Sequence, residues 1–137
     1  PFICMHMKGI PENMQLNPQY DDLISEIKQY FKGRIESCLS AKIDQIILDP
    51  GFGFGKTIEH NYTLLKDFQQ FTSFNTPLLA GLSRKSMIYK LLNTTAEESL
   101  NGTSALNLMA LMKGANILRV HDVKPAKEII QLFRKLK

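Results

Sequence analysis

The sequence predicts an α/β fold made of four consecutive strand–helix units, and three observations lead there. Four strand-sized apolar runs recur at residues 2–7, 43–48, 77–82 and 116–120. Between and after them lie longer stretches with apolar residues at three- and four-residue spacing, the signature of amphipathic helices. The runs are apolar at nearly every position rather than at alternate ones, which marks parallel strands covered on both faces.

The elements follow in order. After the first run, Leu23, Ile24, Ile27, Tyr30, Phe31, Ile35, Cys38 and Leu39 outline the first helix. Asn17-Pro18 reads as its start, a capping side chain before a proline, with Asp21 and Asp22 adding negative charge where the helix dipole favours it. Gly33 interrupts that helix at a cost of about 1 kcal/mol relative to alanine, so a bend or break is expected there. The second run leads to a helix through Tyr62, Leu64, Leu65, Phe68 and Phe71, and the third to one spanning 100–112, closed by Gly114 as a C-terminal cap. Lys124-Pro125 opens the last helix, which carries Ile129, Ile130, Leu132, Phe133 and Leu136.

Composition sets the class. A chain of 137 residues, 44% hydrophobic and 22% charged, suits one soluble globular core. Its net charge of +4, with a mild C-terminal excess (Lys124, Lys127, Arg134, Lys135, Lys137), suits anionic small ligands but is too dispersed for nucleic acid. No apolar run approaches the roughly 20 residues of a membrane helix, so no membrane partner is expected. Cys4 and Cys38 have no close-spaced partner and read as buried free thiols in a reducing, cytoplasmic setting. The chain opens at Pro1 directly in an apolar run, as though inside a folded element, and a fragment is expected.

In parallel α/β architectures ligands gather at the carboxyl ends of the strands. His6-Met7-Lys8-Gly9 follows the first run, and residues 49–56 the second. Gly81-Leu82-Ser83-Arg84-Lys85-Ser86 and Arg119-Val120-His121-Asp122 follow the third and fourth. Asp49 can accept two hydrogen bonds from a flat heterocycle with adjacent N–H donors, each worth about 1.5–3 kcal/mol. Gly51, Gly53 and Gly55 alternate with Phe52 and Phe54, allowing a tight turn with aromatic faces; a plain glycine-rich connection with Asp49 capping a turn is the alternative. Gly55-Lys56-Thr57 ends like a nucleotide P-loop, but Pro50 stands where that motif needs glycine. Ser83, Arg84 and Lys85 set a hydroxyl and two cations beyond Gly81, with a solvated helix start as the bland reading. Arg119 and His121 alternate at a strand end, a pairing that can grip a diphosphate. His6 reads as a core or rim histidine and His60 as a capping or surface one. No spacing suggests a structural metal site.

Taken together these motifs resemble dihydropteroate synthase: residues 5–9 with Pro11, Met14 and Gln15, residues 48–56, 81–86 and 119–123 match that family's later motifs in order. The resemblance implies the C-terminal half of a TIM (β/α)₈ barrel, with residues 1–137 a single partial domain and the N-terminal half absent. It implies a transferase condensing 6-hydroxymethyl-7,8-dihydropterin diphosphate with p-aminobenzoate to give 7,8-dihydropteroate and diphosphate, with Mg²⁺ whose ligand is expected in the missing half, and a homodimer. By that resemblance Asp49 and Lys85 hold the pterin, Gly81 and Phe54 shape its pocket, Ser83 and Arg84 lie by p-aminobenzoate, where sulfonamides compete, and Arg119 and His121 bind diphosphate. Asp49, Lys85 and Arg119 are the catalytic candidates. The segment alone is expected to be inactive. Two rivals stay open: a pterin-dependent methyltransferase acting on a corrinoid, and a non-catalytic half-barrel.

Overall fold

The computed structural model describes residues 1–10, 12, 14 and 16–136; Pro11 and Gln15 of the first motif and the basic Lys137 lie outside the described residues. The elements run β1 (Phe2–Met5), α1 (Leu23–Ser40), β2 (Ile46–Asp49), α2 (Ile58–Lys66), a 3₁₀ helix (Phe68–Phe74), β3 (Leu79–Ala80), α3 (Ser86–Tyr89), α4 (Leu100–Met112), β4 (Ile117–Leu118) and α5 (Val123–Lys135).

All strand pairings are parallel. β1 pairs with β2 in the register Phe2 to Ile46 through Met5 to Asp49. β3 pairs with β4, Leu79 opposite Ile117 and Ala80 opposite Leu118. A parallel bridge between Leu48 and Leu78 joins the two pairs, so the strands lie side by side in sequence order, each followed by helix. The strands are shorter than the apolar runs that announced them. Ile43, for instance, lies before β2 and is 38% exposed.

The core forms where the helices cover the sheet. Ile27 and Phe31 of α1, Leu64 and Leu65 of α2, and Met87 and Ile88 of α3 are buried against Leu48, Leu78, Ala80 and Leu82. Phe68 and Phe71 add an aromatic layer: Phe52 stacks on Phe68 with centroids 6.0 Å apart, and Phe31 meets Phe71 edge-on at 5.8 Å. Cys4 and Cys38 are buried and unpaired, as the spacing suggested.

Several boundaries differ from expectation. α1 begins at Leu23, not after Asn17-Pro18. Asn17 takes a left-handed backbone (φ 53°) and its side chain accepts from Gln19, whereas Asp22 caps the helix by accepting from Ser25 N at 2.9 Å. Gly33 produces no break, since α1 is continuous through it and open space surrounds it. The stretch through Tyr62 and Phe71 divides into α2 and the 3₁₀ helix at Asp67. α5 starts at Val123, placing Lys124-Pro125 inside its first turn, where proline's missing N–H has no partner to lose. α4 spans Leu100–Met112, and Gly114 (φ +99°) turns the chain away after it.

Candidate functional site

Parallel strands in sequence order bring all four carboxyl ends to one rim. Asp49, the last residue of β2, is buried, with its Oδ1 accepting the Gly51 N–H at 2.8 Å and its Oδ2 3.9 Å from the Arg119 guanidinium beyond β4. Burial pushes the Asp49 carboxyl above its ordinary value, against the pull of that N–H and of Arg119, Lys85 and Lys56.

Lys85, which precedes α3, reaches across to the turn after β2. Its ammonium donates to the Phe52 carbonyl and lies 4.5 Å from the centroid of the Phe54 ring. Burial lowers its pKa to about 8, with Asp49 opposing the shift and Arg119 adding to it. A Cβ on Gly81 would come within 3.0 Å of the Arg119 guanidinium, so a side chain there would displace that arginine. Ser83 is buried, and its Oγ accepts the His121 backbone N–H at 3.2 Å while lying 3.0 Å from Nδ1 of the same ring.

Phe54, Gly81, Ser83, Lys85, Arg119, Val120 and His121 line one cleft of about 320 Å³, with Asp49 next to it through Arg119. A flat polar molecule and an anionic tail would meet complementary groups there: one buried carboxylate against N–H donors, and Lys85, Arg119 and His121 against negative charge.

Arg84 stands apart from this set. Its backbone has φ 55°, a strained conformation for a residue with a side chain, and its N–H donates to Thr103 Oγ1 of α4 at 3.1 Å. Its guanidinium makes a two-pronged pair with Asp122, at 2.6 and 3.0 Å. It is not among the residues that line the cleft with Ser83 and Lys85. His60 takes the capping role: with Thr57 it forms a reciprocal cap at the start of α2.

Sequence reasoning gave no role to Lys56 and a weak one to His6, yet both are buried just behind Asp49. Lys56 Nζ lies 3.0 Å from His6 Nδ1 and donates to the carbonyls of Gly51 (2.9 Å) and Phe54 (3.1 Å). Burial lowers the Lys56 pKa to about 7, Asp49 opposing and Lys85 reinforcing. Burial, then Lys56 and Lys8, hold His6 down to about 3, against Glu26. The only signal for the pair was its company, a lysine at the end of a glycine turn and a histidine at a strand end.

A carboxylate at the tip of one parallel strand, facing cations at the tips of two others, is the layout of a heterocycle-binding α/β enzyme, and the chain belongs to the pterin binding enzyme family, whose family description matches residues 1–121. Its relatives include several dihydropteroate synthases. Dihydropteroate synthase of Escherichia coli (strain K12) is 48% identical over 134 residues, covering 96% of this chain and 48% of the relative. The Yersinia pestis dihydropteroate synthase solved with a sulfonamide drug superposes with a TM-score of 0.97 at 45% identity, over 99% of this chain and 50% of that one. The Thermus thermophilus dihydropteroate synthase, solved in complex with 6HMPPP and with 4-aminobenzoate, gives TM-scores of 0.93 and 0.92 at 38% identity, over 98% of this chain and 54% and 56% of those. The chain thus spans about half the length of the relatives it matches.

Proposed function

We propose that this chain supplies the C-terminal half of a dihydropteroate synthase, the four later units of a TIM (β/α)₈ barrel, residues 1–137 forming one partial domain. The observation that carries the proposal is the convergence of Asp49, Lys85 and Arg119 from three strand ends on one cleft. The reaction joins 6-hydroxymethyl-7,8-dihydropterin diphosphate to p-aminobenzoate in the folate pathway. The amine lone pair attacks the pterin methylene, the C–O bond to diphosphate breaks with its electrons leaving on the diphosphate, and the ammonium proton passes to water.

In this reading Asp49 accepts the pterin's adjacent N–H groups and Lys85 donates to the ring, its ammonium held in place by the turn after β2. Phe54 and Gly81 bound the pocket, and Ser83 adjoins p-aminobenzoate. Arg119 and His121 face the diphosphate, where cations stabilise the charge that develops as it departs. The methyltransferase rival loses ground here, because a methyl donor carries no diphosphate for Arg119 and His121 to meet.

Mg²⁺ does not find a ligand set in this chain: among the described residues no three His, Cys, Asp or Glu side chains group to hold a metal ion, and Asp49 already engages Gly51 and Arg119. No step is routed through it. A homodimer is supported by apolar side chains left exposed on the mutually packed α4 and α5, Met109, Met112, Val123 and Leu132, with Leu136 just past α5. A cytoplasmic setting suits the two unpaired thiols; among the described residues no helix is long and apolar enough to cross a membrane.

The test is calorimetric titration of the full-length protein carrying this segment with pterin diphosphate, alongside Asp49→Ala. Binding in the parent that falls at least about tenfold in the variant is expected from the loss of a charged hydrogen-bond acceptor. A parent that ignores the pterin diphosphate would refute the assignment.

A further inference from the structure

We propose that Lys56 and His6 form an internal strut that positions the Asp49 carboxylate and the turn after β2 for the pterin ring; the proposal rests on the pterin-binding reading above and deepens it. An ammonium has three N–H donors, and Lys56 has three acceptors within reach: His6 Nδ1 and the carbonyls of Gly51 and Phe54. One acceptor lies just past β1 and two belong to the turn after β2, so a single buried amine fastens two neighbouring strand ends.

The fastening leads to the ligand side through one residue. Gly51 gives its carbonyl to Lys56 and its N–H to Asp49 Oδ1, so the carboxylate is aimed by the same residue that Lys56 holds. Phe52, next in the chain, gives its carbonyl to Lys85, and Phe54 places its ring under the Lys85 ammonium. Gly51 adopts φ +73°, and a Cβ there would lie 1.9 Å from the His6 carbonyl oxygen. The turn therefore presses against β1, and no other residue type fits.

His6 is held for the task. Its ring packs edge-on against Tyr30 at 5.1 Å and near Tyr20 at 6.3 Å, and both tyrosines are tied down, Tyr30 to the Met5 carbonyl and Tyr20 to the Gly55 carbonyl. The charged groups around the pair are Lys8, Glu26, Asp49 and Lys85. With cations on two sides, His6 remains neutral and its Nδ1 accepts. From α2, Asn61 Oδ1 accepts the Gly53 N–H at 2.7 Å, a second brace on the same turn. Neither Lys56 nor His6 lines the cleft, so both are positioning residues.

The experiment compares Lys56→Met, His6→Leu and His6→Asn in the full-length protein carrying this segment. The asparagine oxygen can stand where Nδ1 stands. Lys56→Met and His6→Leu should each raise the pterin diphosphate KM about tenfold or more, the loss expected of a buried hydrogen bond to a charged group, and leave the p-aminobenzoate KM within about twofold. His6→Asn should restore binding to within about threefold of the parent by keeping the acceptor. Hydrogen exchange at the Gly51 and Phe54 amides should quicken in the first two variants while the core amide of Leu64 stays protected. Unchanged exchange and KM in a folded Lys56→Met protein would overturn the strut, as would a His6→Asn protein as impaired as His6→Leu. Should Lys56→Met not fold, the two His6 variants decide alone. A parent that fails to bind the pterin removes the functional reading and the strut with it; a parent that binds, with indifferent variants, removes the strut only.

Discussion

Burial beside Asp49 takes the Lys85 ammonium out of water, so it releases its proton near pH 8 in the folded chain against 10.5 for an ordinary lysine. Two opposite pH trends follow. Pterin affinity should fall as pH rises through about 8, because the ammonium charge is lost. Stability should move the other way: between about 8 and 10.5 the unfolded chain binds the proton that the folded chain has shed, so unfolding free energy rises with pH. Lys85→Met should flatten the alkaline limb of a pterin titration; a limb that persists would assign it to another group. On the acid side, the raised Asp49 carboxyl should lose its acceptor role at a higher pH than an ordinary aspartate would. At this scale, residue type at a strand end was enough to name Asp49, Lys85, Arg119, His121 and Ser83, which lie in or beside one cleft. It could not reveal that Arg84 turns to Asp122, since that depends on a left-handed backbone and on a partner 38 residues away. The burial of Lys56 was hidden for the same reason.

The elements are held to one another by loop contacts as much as by packing. Arg84 and Asp122 join the loop after β3 to the start of α5, keeping Ser83 against His121. If the pair acts as a unit, Arg84→Ala, Asp122→Ala and the double variant should lower chemical stability to nearly the same extent; additive losses in denaturation curves would show two independent roles. At α2, Thr57→Ala removes half of the reciprocal cap with His60 and should cost about 1 kcal/mol, read as a lower urea midpoint at unchanged slope. Helix identity was readable from periodicity, and α4 matched residue for residue. Helix starts were not: Asn17-Pro18 carries the marks of a cap, with Asp22 reading as a first-turn charge, whereas Asp22 is the cap. Only the left-handed turn at Asn17 shows which one meets free N–H groups. The 3₁₀ segment was equally concealed, since Phe68 and Phe71 keep the same three-residue spacing in either helix type.

At the scale of the molecule, order and direction of the strands were legible, while closure was not, because a barrel is defined by partners on both outer edges. Among the described residues β1 pairs with β2 alone and β4 with β3 alone, and Phe2 and Ile3 are about half exposed, at 47% and 50%. Open edges of this kind seek company. The 137-residue segment by itself should therefore self-associate in light scattering and show no turnover; a monodisperse monomer that makes dihydropteroate would contradict the half-barrel proposal. The sequential pairing of β1 to β4 has a consequence for how the protein comes into being. From β2 onward each strand finds its neighbour in the unit that emerged before it, so this part of the sheet can be laid down strand by strand as the ribosome delivers it.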